Sequence, residues 1–199
     1  GVFFRTCIRT ALDELGAFDA LQDHGDWDQN QDGWIDAITF IHSGFVAEIG
    51  GSDRYDTPSA GRIWSHHWNM GMDHPIQGSN LRVFRYVTTG AWFGLHDHSS
   101  IVRLGVISHE LGHLMDLPDL NDLNGGGRGV GAWSLMGHSW GFELNQYYPP
   151  SFDAWSKLQL GWSVPRELNE TQTNVVLQPA VSHQDYVVIR VGFATEEEY

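Results

Sequence analysis

The chain has 199 residues, 41% of them apolar and nine of them Trp, enough to bury the core of one domain, or of one domain and the start of another. A formal net charge of -14 leaves no basic stripe for phosphates, which argues against nucleic acid and anionic membranes as partners. No apolar run is long enough to span a bilayer, so membrane insertion is not expected, and the lone Cys7 allows no internal disulfide.

The first predicted element is a helix over residues 3–15, where Phe4, Ile8, Leu12 and Leu15 recur at helical spacing and Gly16 supplies a stop. The opening GVFFRTCIRT carries no cleavage-site pattern, and we expect the chain to be a piece of a longer protein. After an acidic loop, Ala37–Gly44 (AITFIHSG) reads as a buried strand. RIWSHHW, residues 62–68, offers a short strand. Leu81–Thr89 (LRVFRYVTT) offers another, either a plain structural strand or one at a sheet edge where an extended peptide could add as a further strand. From Ser99 onward, Ile101, Leu104, Val106, Ile107, Leu111, Leu114 and Met115 recur near helical spacing. Ser99 or Ser100 would cap that helix and Pro118 would end it. Residues 124–131, NGGGRGVG, form a glycine-rich loop without the Gly-Lys-Ser/Thr of a phosphate loop. PPSFDAWSKLQLGW predicts a helix opened by Pro150 and Ser151 and closed by Gly161. Beyond it, residues 173–192 read as two strands joined by a turn. We therefore expect one domain over 1–164 and a C-terminal β segment over 165–199 that begins a second module.

Within the acidic loop, residues 26–36, Asp28, Asn30 and Asp32 alternate and Gly33 follows, as in the first half of an EF-hand calcium loop. Trp34 would lend a backbone carbonyl and Asp36 the ninth position, with Asp26 or Glu48 completing the shell. The twelfth position is Thr39 rather than Glu, and the segment runs into a strand. A calcium ion here would be structural, because clustered carboxylates repel one another without it. The plainer reading is a solvated acidic turn.

The chemistry gathers in SHELGHLMDLPDLND, Ser108–Asp122. His109 and His113 stand one helical turn apart and can share one metal ion. Glu110 lies about 100° round the helix, placed to reach a water on that ion without ligating it. Zinc would acidify the water and the carboxylate would accept its proton. A surface helix with two solvated histidines is the bland alternative. Against it stand the apolar residues around the pair, the stop at Pro118, Asp119 six residues after His113, and the compact segment 132–140 (AWSLMGHSW) around Met136. The zinc motif over 109–119, followed by a Met-turn, is the metzincin pattern with two departures. Asp119 stands where a third His is usual, and a carboxylate is a competent zinc ligand. Asp116 stands where Gly permits positive φ, a region Asp tolerates better than most residues. Asp116 is thus either the turn residue or a competing ligand, and Asp122 a supporting residue. Met136 would form an apolar floor. Metzincins often place an oxyanion-binding side chain two residues after that methionine; the resemblance to that pattern implies this role for His138, which otherwise reads as an ordinary loop histidine, with Tyr147 and Tyr148 as weaker candidates. The pairs His66/His67 and His96/His98 lack motif spacing and read as surface or loop histidines.

DWDQNQDGWIDAITFIHSG, RIWSHHW, HELGHLMDLPD, GAWSLMG and PPSFDAWSKLQLGW occur in that order over residues 26–162. Together they resemble the immune inhibitor A family of secreted zinc metallopeptidases, in the metzincin group. The resemblance implies an α+β zincin-type domain, with a mixed twisted sheet on an active-site helix near residues 100–116. It implies a secreted zinc endopeptidase acting on protein or peptide substrates, with zinc on His109, His113 and Asp119 and Glu110 as general base. It further implies calcium stabilisation and a monomer within a larger multidomain chain. The competing reading is a non-catalytic calcium-binding or adhesion module that has kept the fold, against which the intact Glu110 argues.

Overall fold

A mixed three-stranded sheet in the order β1-β3-β2 carries the domain. β1 (Thr39–Phe45) runs parallel to β3 (Arg82–Trp92), and β2 (His66–Pro75) runs antiparallel to it. The computed structural model describes residues 2–17, 27–96, 98, 100–122, 127, 129–164, 166–168, 173–179 and 187–189.

The segment read as a plain or an edge strand is the central strand. Tyr86, Val87, Thr88, Thr89 and Gly90 are buried in succession, as in a strand covered on both faces. Among the described residues, the edges are β1 and β2. β2 starts at His66, later than RIWSHHW suggested, and runs on to Pro75 through a register shift between Asn69 and His74. Gly71, at φ +79°, lies within that irregularity, where glycine takes a left-handed conformation at no steric cost.

Successive strand residues face opposite sides, and this sheet uses both. On one side Tyr86 and His66 meet Phe4 of α1 (Val2–Ala17). There Ile8 and Leu12 join Ile35, Met70, Ile76, Leu81, Val83 and Tyr86 in the core. Gly16 does not stop α1, which reaches Ala17. On the other side lies α2 (Leu104–Leu114), against β3 and β2.

α2 is shorter at both ends than its hydrophobic spacing implied. Residues 100–102 still pair with the end of β3: Phe93 N donates to Ser100 O (2.9 Å) and Val102 N to Ala91 O (2.8 Å). Ser100 is therefore not the cap, Ser99 lies outside the described residues, and the N-cap is Arg103. Its guanidinium stacks between the rings of Phe93 (3.6 Å) and Tyr147 (3.8 Å) and donates to Asn145 O (2.6 Å). Gln146 Oε1 accepts from Val106 N (3.2 Å), satisfying one of the open N–H groups of the first turn. At the other end the helix stops before Pro118, because Asp116 at φ +63° has already left the helical conformation.

α3 (Ala154–Gln159) is opened by Asp153, whose side chain accepts from Ser156 N, rather than by Pro150 and Ser151. Gly161, at φ +68°, closes it as expected. In the C-terminal part, β4 (Arg166–Leu168) pairs in parallel with β5 (Val187–Ile189). β5 falls within the second of the two strands expected over 173–192, while residues 173–179 form no strand, and the expected turn lies outside the described residues. Among the described residues no helix is long and apolar enough to cross a membrane.

The β1–β3 pair closes tightly where its register shifts. A Cβ on Gly90 would lie 2.5 Å from Gly44 O and 2.7 Å from Val46 Cγ1. Gly90→Ala should therefore destabilise the domain by about 1–3 kcal/mol, seen as a lower urea midpoint. An unchanged midpoint would count against this packing.

Candidate metal centre

α2 turns His109 and His113 to one side, and the chain after it brings Asp119 to both rings. Asp119 Oδ1 lies 3.0 Å from His109 Nε2 and 3.6 Å from His113 Nε2. The three donor atoms fall within 4.8 Å of one another, and no other trio of His, Cys, Asp or Glu groups among the described residues does so. Each imidazole is fixed from behind by a main-chain carbonyl: His109 Nδ1 donates to Leu135 O and His113 Nδ1 to Leu117 O, both at 2.8 Å. A proton held on Nδ1 leaves the Nε2 lone pair for a ligand. Separations of 3.0 and 3.6 Å bracket the roughly 3.3 Å between donors on a tetrahedral zinc. Two neutral nitrogens and one carboxylate oxygen also fit zinc's donor preference.

Charge in the cluster is arranged consistently with this. The hydrogen bond with His109 holds the Asp119 pKa below the ordinary carboxylate value, against its burial and with help from the charges of His109 and His113. Burial works against protonation of His109, but its bonds to Asp119 and Leu135 O and the charges of Glu110 and Asp119 raise its pKa overall. Glu110 stands apart from the trio. It is 8% exposed, and its Oε2 accepts from the backbone N–H of His67 on β2 at 2.7 Å. Burial pushes its pKa up, opposed by His109, His113 and that N–H.

The Met-turn lies under the helix. Met136 is fully buried, and a Cβ on Gly112 would come within 2.4 Å of its Sδ. Ser134 Oγ donates to Asp153 Oδ2 (2.6 Å) and accepts from Met136 N (3.1 Å). Leu120 N donates to Met136 O (2.8 Å), tying the turn to the segment that carries Asp119.

Of the two aspartates, Asp119 is the one at the imidazoles. Asp116 occupies the left-handed turn with its side chain 84% exposed and paired to Arg85 Nη1 at 2.9 Å. Arg85 also donates through Nη2 to His113 O and through Nε to His67 Nε2 (3.2 Å). Asp122 lies three residues beyond Asp119 and outside the trio. His138 is exposed, and no hydrogen bond among the described residues joins it to the trio. Its ring lies parallel to Trp140, 6.4 Å away, on a cavity of about 740 Å³ lined also by Val130, Trp133, Phe142 and Leu144. Tyr147 packs on Arg103, and Tyr148 is exposed.

Two residues that the sequence did not single out join the site. His67 is not a loop histidine: it lies on β2, 5.8 Å from the His113 ring. Its pKa is lowered to about 4 by burial, with the charges of Arg85 and His113 adding to the effect. Adjacent His66 faces the other side of the sheet, so no spacing rule could mark one of the pair. Arg85 did leave a signal, a charge flanked by Val83, Phe84, Tyr86 and Val87, which calls for a partner when the strand is buried.

In the acidic loop, Asp28 accepts from Asp32 N (3.0 Å) and Gly33 N (2.8 Å), Asp32 from Trp34 N (2.9 Å), and Asp36 from Gln29 N (2.9 Å). Asn30 Oδ1 also accepts from Asp32 N (3.1 Å). Glu48 does not reach this loop. Its carboxylate accepts from Ser65 Oγ (2.5 Å) and Ser65 N (3.2 Å), and Asp26 lies outside the described residues.

A helix packed on the sheet and presenting two imidazoles and a neighbouring glutamate, with an aspartate closing the set, defines a metal-hydrolase type of centre. The comparisons agree. Residues 5–163 match the catalytic domain of the immune inhibitor A peptidases, M6, and the chain belongs to that family. It is 34% identical over 151 residues to immune inhibitor A of Bacillus thuringiensis subsp. alesti, covering 73% of this chain and 21% of that protein. It is 31% identical over 188 residues to the pre-pro-metalloprotease PrtV of Vibrio cholerae serotype O1, covering 86% of this chain and 20% of that protein. The chain thus spans about a fifth of the length of these relatives.

Asp153 supports both α3 and the Met-turn. Burial opposes its ionisation, but hydrogen bonds from Ser134 and Ser156 hold its pKa below the ordinary carboxylate value. Its contribution to stability is therefore present above the unfolded pKa and lost as pH falls through the lower folded one. Asp153→Ala should cost about 1–2 kcal/mol at neutral pH. The gap from wild type should narrow below about pH 4 in denaturant titrations. A gap that stays constant down to pH 2.5 would contradict the assignment.

Proposed function

We propose that the domain is a zinc endopeptidase in which Glu110 is the general base. The observation that carries this reading is the convergence of His109 Nε2, His113 Nε2 and Asp119 Oδ1, with the buried Glu110 beside them. Bound there, zinc would supply the Lewis acidity that makes water nucleophilic at neutral pH and polarises a peptide carbonyl. Glu110 takes the proton of the attacking water and returns it to the departing amine. The His67 N–H, by engaging Oε2, orients the carboxylate for both transfers. The substrate-pairing role first given to Leu81–Thr89 passes to β2, the sheet edge beside α2. For His138 to stabilise the oxyanion, its exposed ring must turn from Trp140 toward the trio; Tyr147 would have to leave Arg103 to do so.

The metzincin form of the fold, secretion and a place within a larger multidomain chain follow from the family resemblance and belong to the same proposal. So does a structural calcium ion on Asp28, Asn30, Asp32, the Trp34 carbonyl and Asp36, and so does the division into a catalytic domain over 1–164 and a β segment over 165–199.

Casein cleavage by wild type, with and without a chelator, tests the mechanism against Glu110→Gln. The variant should keep its zinc and lose activity by roughly 10²–10⁴-fold; equal rates would overturn the role of Glu110. Metal analysis of Asp119→Ala should find the stoichiometric zinc gone. Full retention would remove Asp119 from the ligand set.

A further inference from the structure

We infer that Arg85 is a positioning residue for Asp119, acting through the left-handed turn at Asp116. The inference rests on the metal-centre reading above.

The chain must reverse between His113, the last helical donor, and Asp119. It does so in few residues. Met115 N donates to Gly112 O (3.1 Å), Asp116 N to His113 O (3.1 Å) and Leu117 N to Gly112 O (3.2 Å). Leu117 O then accepts from His113 Nδ1. The conformation at residue 116 therefore sets two features of the centre: the carbonyl that orients His113 and the direction in which the chain leaves for Asp119. That conformation has φ +63°, where the Cβ of an L-residue crowds the backbone. Glycine would take it freely. This chain has aspartate instead, which tolerates the region better than most residues but less freely than glycine, so a partner that fixes the turn offsets a cost.

Arg85 supplies one. Its three nitrogens reach three groups around the turn: Nη1 the Asp116 carboxylate at 2.9 Å, Nη2 the His113 carbonyl, and Nε the His67 ring at 3.2 Å. The fork rises from β3, paired on both sides, so its base is held. A planar guanidinium can serve the carboxylate and the carbonyl at once, which a lysine ammonium on a flexible stem does poorly. An ion pair with so exposed a carboxylate adds little to global stability. Its effect falls on the turn's geometry and hence on how well the three donors are arranged for a metal.

The test is zinc affinity, read by competition with a chromophoric chelator. Arg85→Met should weaken zinc binding roughly tenfold or more, the usual size of a loss behind the ligands. Adding Asp116→Gly to it should recover most of that loss, because glycine holds the turn without a partner. Asp116→Gly alone should stay within a few-fold of wild type. Wild-type affinity in Arg85→Met, or no recovery in the double variant, overturns the inference. Far-UV circular dichroism checks that each variant is folded. If Arg85→Met is not, Arg85→Lys with and without Asp116→Gly carries the same comparison, with a smaller expected loss. A wild-type chain that takes up no zinc overturns the metal-centre reading itself, and is thereby distinct from a failure of Arg85 alone.

Discussion

Two hydrogen bonds decide which way the imidazoles of α2 face, those from His109 Nδ1 to Leu135 O and from His113 Nδ1 to Leu117 O. An imidazole has two nitrogens and can offer either. Only a bond at the rear makes the choice permanent. Neither carbonyl belongs to the helix. One comes from the Met-turn and the other from the reversal after the helix, so both segments must hold their shape for the histidines to hold theirs. The burial of Ser134 and Met136, the cap at Asp153 and the absence of a side chain at Gly112 all serve the first of these.

Glu110 shows the opposite economy. Its burial works against its negative charge, and the histidines and one backbone N–H restore part of what burial removes. A buried carboxylate with a raised pKa holds a proton more readily than an exposed one, which would suit the proton-transfer role proposed for it. The contact with His67 links this balance to the sheet. A shift of β2 along β3 would move the donor that steadies Glu110.

The helix-borne part of the site was legible in the sequence because its rule is local. Two histidines four apart, with glutamate between, share a helix face wherever that helix lies. Asp119 followed from motif spacing, and Gly161 from the chemistry of helix ends. What could not be read depends on distant pairing. The central place of β3 is set by β1 and β2 arriving on either side, and nothing within LRVFRYVTT distinguishes the middle of a sheet from its edge. The late start of α2 has the same origin: residues 100–102 obey helical spacing, but their hydrogen bonds were already taken by β3. His67 and Arg85 entered the site by the same route, as side chains whose meaning lies in what stands opposite. Asp153 won over Pro150 and Ser151 because only its carboxylate reaches both Ser156 N and Ser134 Oγ.

The parts of this centre are spread from His67 on the second strand to Asp153 at the mouth of the third helix. No continuous stretch contains it. The helix alone would hold two rings with neither nitrogen chosen, and the sheet alone would offer an N–H with no carboxylate to meet it. Bringing such separated pieces together costs loop-closure entropy, and long-range topologies of this kind form slowly. The centre is consequently a property of the folded domain and of no single segment. A growing chain that has not yet reached Asp153 carries the motif but not the anchored Met-turn behind it.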